Sequence, residues 1–149
     1  MKALLQCVSG AAVSIADEEV SRISRGLVVF LGVADGDKAK DVQYLVRKIV
    51  TLRIFPDGEG KFNLSVADIE GEMLLVSQFT LLADIRKGRR PSFIGAAPPG
   101  QAEELFESFV EQARATGLRV ATGRFQQYMQ VEIYNDGPVT IMLDSREKF

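Results

Sequence analysis

The sequence predicts a single α+β domain over residues 1–149, built from curved or barrel-like, mostly antiparallel sheets covered by two helices in a three-layer β/β/α arrangement. Three observations predict it. Branched apolar runs separated by glycine-marked turns fill the first third of the chain, two later segments carry apolar residues at helical spacing, and further strand-like runs close the sequence. At 149 residues, 46% hydrophobic and 26% charged, the chain has the size and composition of one globular domain, able to bury about two-thirds of its unfolded surface. No repeat, low-complexity tract or linker divides it.

Taken in order, Leu4 to Val8, Ala12 to Ile15 and Leu27 to Val33 read as strands, separated by Gly10 and Gly26 and ended by the Asp35-Gly36 turn. Val42, Leu45, Val46, Ile49 and Val50 then recur at three-and-four spacing on one helical face, with Asp37 or Asp41 available to cap or charge the first turn. Arg53-Ile54-Phe55 runs into the turn-rich Pro56-Asp57-Gly58-Glu59-Gly60. Glu72 to Leu82 reads as a strand apolar on both faces, hence central in a sheet. After a Gly- and Pro-rich loop from Gly88 to Gly100, Ala102, Leu105, Phe106, Phe109, Val110 and Ala113 mark the second helix, which Gly117 stops. Leu118 to Thr122, Met129 to Tyr134 and Val139 to Leu143 are the closing strands, the last two joined by Asn135-Asp136-Gly137-Pro138 as a turn.

Composition excludes whole classes of chemistry. The chain has no histidine and one cysteine, Cys7. Ser-His-Asp and Cys-His nucleophiles, His-ligated zinc and HExxH metalloproteases are therefore ruled out. A single cysteine closes no intrachain disulfide and builds no Cys-only metal site, which fits a reducing compartment. A net charge of −2 supplies no global basic field, so a nucleic-acid partner must be met by a local patch. The opening Met1-Lys2-Ala3-Leu4-Leu5 fails as a secretory signal because Gln6, Ser9 and Gly10 interrupt it and Asp17-Glu18-Glu19 follows closely. No stretch approaches the roughly 18 apolar residues that span a bilayer. The expectation is a cytoplasmic protein without membrane contact, metal or cofactor.

Four segments could carry chemistry. Asp57-Gly58-Glu59-Gly60-Lys61 fails the phosphate-loop pattern, since Phe55 stands at its first glycine position and Phe62 follows the lysine, and reads as an exposed hairpin turn. Asp35 and Asp37 lack the later ligands of a calcium loop and read as a turn and a helix cap. Arg86-Lys87-Gly88-Arg89-Arg90, with Phe93 just beyond, is the one dense basic cluster; it is either a phosphate-binding loop or a solvated one that keeps the protein soluble. Ser77-Gln78-Phe79-Thr80 leaves the buried strand, where backbone N–H groups can face a cleft. With no base beside its hydroxyls, polar contacts and an oxyanion hole suit it better than a nucleophile, and a strand edge satisfying its own hydrogen bonds is the bland alternative. By the same test Asn135 to Thr140 is first a turn, but Gly137 and Pro138 lack groups that would block approach to their carbonyls.

Ser77-Gln78-Phe79-Thr80-Leu81 and Asn135-Asp136-Gly137-Pro138-Val139-Thr140, in that order, resemble the two signature motifs of the D-aminoacyl-tRNA deacylases. The likeness extends through Ala3 to Val8, Arg53-Ile54-Phe55, Gly60-Lys61-Phe62-Asn63, Arg90-Pro91-Ser92-Phe93 and Thr122-Gly123-Arg124-Phe125. The resemblance implies a cytoplasmic homodimer, with aminoacylated tRNA and not DNA as its partner, that hydrolyses the ester between a D-amino acid and the 3′-terminal adenosine and also removes glycine mischarged on tRNA(Ala). It implies that Gly137 and Pro138, joined by a cis bond, enter the partner subunit's site, meet the substrate's α-amino group and exclude an L side chain, with Ser77 and Asn135 in the same substrate-binding set. It implies catalytic roles for Gln78, Phe79 and Thr80, the Phe79 N–H polarising the ester carbonyl. Arg86, Lys87, Arg89 and Arg90 are the expected tRNA contacts. One position departs: family members mostly carry arginine after the first strand's glutamine, where it helps fix the Gly-Pro motif, and here Cys7 follows Gln6. The rival readings are a non-catalytic protein gripping the tRNA acceptor end and a structural dimer without a ligand.

Overall fold

The computed structural model describes residues 1–147. In chain order its elements are β1 (Lys2–Ile15), β2 (Glu18–Ile23), β3 (Gly26–Gly32), α1 (Ala39–Thr51), β4 (Phe55–Pro56), β5 (Phe62–Leu64), β6 (Glu72–Ser77), a single 3-10 turn (Phe79–Leu82), α2 (Pro99–Arg114), β7 (Arg119–Thr122) and β8 (Gln130–Asp144). The sheet hangs on β1. One edge of β1 pairs with β8 along nearly its whole length, while its other edge is shared between β3, on Lys2 to Val8, and β2, on Ala11 to Ile15. These pairings are antiparallel; β3–β6 and β6–β7 are parallel. The sheet is therefore mixed, and it curls until β2 approaches β7: Ser21 Oγ donates to Thr122 O at 2.9 Å and Arg119 Nη2 donates to Arg22 O at 3.3 Å. A barrel-like α+β domain with two helices results, as the sequence predicts.

Alternation builds two cores. Met1, and Ala3, Leu5 and Cys7 of the first half of β1, join Leu27, Val29, Leu31, Met73 and Leu75 in facing α1 and α2. Val8, Ala11 and Val13 join Val28, Leu74 and Val76 in a second cluster inside the curl. β3 and β6 are thus apolar on both faces because both faces are covered. The helices bury the stripes read from sequence, Val42 to Val50 on α1 and Phe106 to Ala113 on α2. Gly117, at φ +90, ends the segment after α2 in the left-handed region.

Several boundaries differ from expectation for physical reasons. Gly10 does not divide β1, since register shifts around Val8 and Gly10 absorb the irregularity and the strand continues to Ile15. β2 has no counterpart among the expected strands, because half of its residues are exposed and Ile23 alone is fully buried, which leaves little apolar pattern to read. β6 stops at Ser77, and the apolar residues after it coil into the 3-10 turn. Asn135 to Pro138 is not a hairpin turn: both halves of β8 pair with β1 in the same sense, and the residues between Asn135 and Thr140 bulge out of one strand. Asp41, whose carboxylate accepts the Lys38 N–H at 2.9 Å, supplies the first-turn acid of α1. Asp37 is instead buried, taking the Met1 α-amino group at 2.7 Å and the Ala34 N–H at 2.7 Å. Among the described residues no helix is long and apolar enough to cross a membrane.

Candidate active site

The C-terminal ends of the parallel strands β3 and β6 open onto a cleft of about 890 Å³. Leu31 and Ser77 are register partners there, and the Gln78 N–H donates to Leu31 O at 2.8 Å, so the chain must turn away at the mouth. Ser77, Gln78 and Phe79 form one wall; Phe93 and Ala96 to Pro99 form another; Phe125 to Met129 close a third. Val33 and Val76 contribute apolar surface between them. Such a largely apolar, concave site with a few polar groups suits a small organic ligand. The Gln78 side-chain amide donates to Thr80 Oγ1, so the hydroxyl of Thr80 is held beside the cleft although Thr80 does not line it. Phe79 is 55% exposed and its ring meets Phe93 edge-on, centroids 4.9 Å apart. The first N–H groups of a helical turn have no partner within it, which leaves Phe79 at the start of its turn with a donor to offer.

On the β1–β8 ribbon, Gln6 pairs with Thr140 and Val8 with Asn135, so the intervening residues of β8 project from the sheet. The Gly137-Pro138 bond within this projection is cis. Asn135 ties its base: its Nδ2 donates to Cys7 O at 2.9 Å and to Val139 O at 3.0 Å, while Gln6 Nε2 donates to Thr140 Oγ1 at 3.1 Å. Gly137 has φ +131, and a Cβ there would stand 2.6 Å from Val139 Cγ2. Asn135, Gly137 and Pro138 do not line the cleft of the same chain. The structure therefore brings Ser77, Gln78 and Phe79 together and leaves the second motif apart.

The basic segment is a closed loop. Asp84 and Ser92 exchange backbone hydrogen bonds of 2.8 and 2.9 Å at its base. Arg86 folds back on Asp84, Nε at 2.9 Å and Nη2 at 2.7 Å, and holds that carboxyl well below the usual carboxylate range. Among the described residues no ion pair engages Lys87, Arg89 or Arg90, all exposed, so three of the four expected cations remain available. Phe93 then links the base of this loop to Phe79 in the cleft. The Asp57 turn is the hairpin expected of it, its carboxylate capping Glu59 N and Lys61 N between β4 and β5. Among the described residues no group of three or more His, Cys, Asp or Glu is placed to hold a metal ion.

Sequence reasoning reached the Ser77 to Phe79 wall and singled out Phe93, but missed the rest of the cleft: Ala96 to Pro99 read only as loop, and Gln126 to Met129 belong to no motif; the aromatic rings of Phe125 and Tyr128 are the one signal that could have drawn attention to them.

With this geometry established, similarity to known proteins decides the family. A family profile described as D-Tyr-tRNA(Tyr) deacylase matches residues 4–144. The chain belongs to this family. Relatives named D-aminoacyl-tRNA deacylase include one from Dehalococcoides mccartyi, 58% identical over 148 residues covering 99% of this chain and 97% of the relative. Another, from Natranaerobius thermophilus, is 57% identical over 150 residues and covers both chains in full. A solved structure described as "c-Myc DNA Unwinding Element Binding Protein" superposes with TM-score 0.91 at 47% identity, covering 97% of this chain and 98% of that one. A second, described as a probable eukaryotic D-amino acid tRNA deacylase, has TM-score 0.82 over 95% and 97% of the two chains at 21% identity and shows the fold alone. As a member of the family the chain is an enzyme, a D-aminoacyl-tRNA deacylase of the hydrolase class.

Proposed function

We propose that this deacylase works as a cytoplasmic homodimer in which the cleft of one subunit is completed by the Gly137-Pro138 projection of the other. The observation that carries the reading is the separation within one chain: Ser77 to Phe79 line the cleft, and the exposed projection lies elsewhere on the same subunit. In the proposed site the ester carbonyl of a D-aminoacyl-adenosine accepts the Phe79 N–H, Gln78 and Thr80 hold the scissile group, and Ser77 lines the pocket. The partner's Gly137 and Pro138 carbonyls receive the substrate's α-amino group and leave no space for an L side chain. Glycine, having no side chain to exclude, is also accepted, which supports clearance of glycine from tRNA(Ala).

Water adds to the carbonyl carbon, the oxyanion is held by the Phe79 N–H, and the bond to the ribose 3′-oxygen breaks as that oxygen takes a proton. With no histidine in the chain, the proposed proton carrier is the neighbouring ribose 2′-hydroxyl with water. Positioning and oxyanion stabilisation are the protein's contribution, the latter worth about 2.7–4 kcal/mol in enzymes where one donor has been removed. Lys87, Arg89 and Arg90 would meet phosphates of the tRNA, with Arg86 bracing their loop.

A second reading, nucleic-acid binding without chemistry, is favoured by one observation, the DNA-element binding for which the 47% identical structure is named. Incubation with D-tyrosyl-tRNA and L-tyrosyl-tRNA separates the two. Release of D-tyrosine alone, undisturbed by excess duplex DNA, is the expected result; tight binding with no release from either substrate overturns the deacylase mechanism.

A further inference from the structure

The cleft has an aromatic rim that the proposed chemistry does not use. Tyr128 is 95% exposed, yet it is one of the residues lining the cleft. A ring so exposed adds little to the core. Its position is nevertheless built. Gln126 takes a left-handed φ of +58, the Gln127 N–H donates to Arg124 O at 3.3 Å, and the Arg124 N–H reaches Met129 Sδ at 3.4 Å. Met129 in turn packs against the core inside the curled sheet. The turn is thus pinned on its inner side and presents Tyr128 outward at a fixed place.

We infer that Tyr128 is a stacking site for the nucleobase immediately 5′ of the terminal adenosine; this rests on the function proposed above. If the terminal adenosine and its ester occupy the cleft beside Phe79, the single strand must leave through the mouth. The next base then emerges unstacked and unpaired, and the most exposed ring lining the cleft is that of Tyr128. Proteins hold single-stranded RNA in this way, a base on an aromatic face with basic side chains taking the phosphates. Lys87, Arg89 and Arg90 supply those cations on a loop tied through Phe93 to the opposite wall of the same cleft. Stacking reads no hydrogen-bonding edge, so the contact strengthens binding of any acceptor end without selecting among amino acids.

The test compares three D-tyrosyl esters, of full-length tRNA, of the dinucleotide CpA and of adenosine, on the wild-type protein and on Tyr128→Ala and Tyr128→Trp. For Tyr128→Ala, kcat/KM on the first two should fall roughly five- to a hundredfold, through KM, the range expected from losing one stacked base. The loss on the adenosine ester should be several-fold smaller than on the other two, and Tyr128→Trp should retain wild-type kinetics on tRNA and CpA. Unchanged kinetics of Tyr128→Ala on tRNA and CpA overturn the inference alone. An equal loss on the adenosine ester, or altered subunit association by sedimentation, also overturns it, by assigning the ring to the cleft or to a subunit contact. Failure of the wild-type protein on all three esters overturns the proposed function and this inference together.

Discussion

Cys7 stands where the resemblance places an arginine that helps fix the Gly-Pro motif, and the structure locates the lock elsewhere. Its side chain points into the core beneath the helices, with Sγ against Ile54 O at 3.5 Å. The projection is tied instead through the Cys7 carbonyl, which accepts from Asn135. Burial pushes the thiol up to about 11; the charge of Asp136 adds to the rise and Arg25 offsets part of it. A thiol whose folded pKa is raised favours the protonated form. Its contribution to stability is full below the ordinary value of 9.0 and is lost as pH rises from there to about 11. Native protein should therefore resist iodoacetamide at neutral pH and react at the rate of a free thiol only when unfolded. Rapid labelling of the folded state would contradict the burial and ionisation assigned to Cys7.

Among the elements, the basic loop is the one whose behaviour follows most directly from its ties. Arg86 is engaged with Asp84, so Lys87→Ala, Arg89→Ala and Arg90→Ala should each reduce the slope of log affinity for tRNA against log salt by about 1. Arg86→Ala should chiefly loosen the loop base, visible as faster amide exchange at Ser92. Equal loss of slope for all four variants would show that Asp84 does not hold Arg86 in the complex. Because Asp84 is held low, the base of the loop should persist as pH falls through the ordinary carboxylate value of 3.8, and open only in stronger acid.

The same elements show what a sequence can carry. The two helices were legible because burial on one side imposes the three-and-four spacing seen from Val42 to Val50 and from Phe106 to Ala113. β2 was not, since three of its six residues face solvent and its apolar Val20 and Ile23 do not alternate. Asn135-Asp136-Gly137-Pro138 misled because its residue types favour turns in general, while its actual conformation is set by β1, to which both flanking segments pair. In the cleft, Ser77 to Phe79 were legible through resemblance. The other walls were not, because Ala96 to Pro99 and Phe125 to Met129 join Phe93 only once the sheet has curled.

At the scale of the molecule, one buried ion pair joins distant parts of the chain. The Met1 α-amino group, fully buried, meets Asp37 before α1 and Ser145 Oγ near the other end, while Arg146 also reaches Asp37. Gln101 of α2 donates to Asp37 O at 3.2 Å, which ties the helix flanking the cleft to the same point. Asp37→Asn leaves the amine without its counter-charge and should cost about 3–5 kcal/mol in a urea titration. A loss below about 1 kcal/mol would mean that water replaces the carboxylate at no great cost.

If one functional site is assembled from two chains, mixing inactive subunits should restore activity. Ala96→Trp fills the cleft and Gly137→Ala spoils the projection, so each homodimer should be inactive on D-tyrosyl-tRNA while circular dichroism shows both folded. After unfolding and refolding together in equal amounts, random pairing makes half the dimers mixed, each with one intact site, so roughly a quarter of wild-type activity should return. If no activity returns although mixed dimers form, the cleft and the Gly-Pro projection do not meet across subunits.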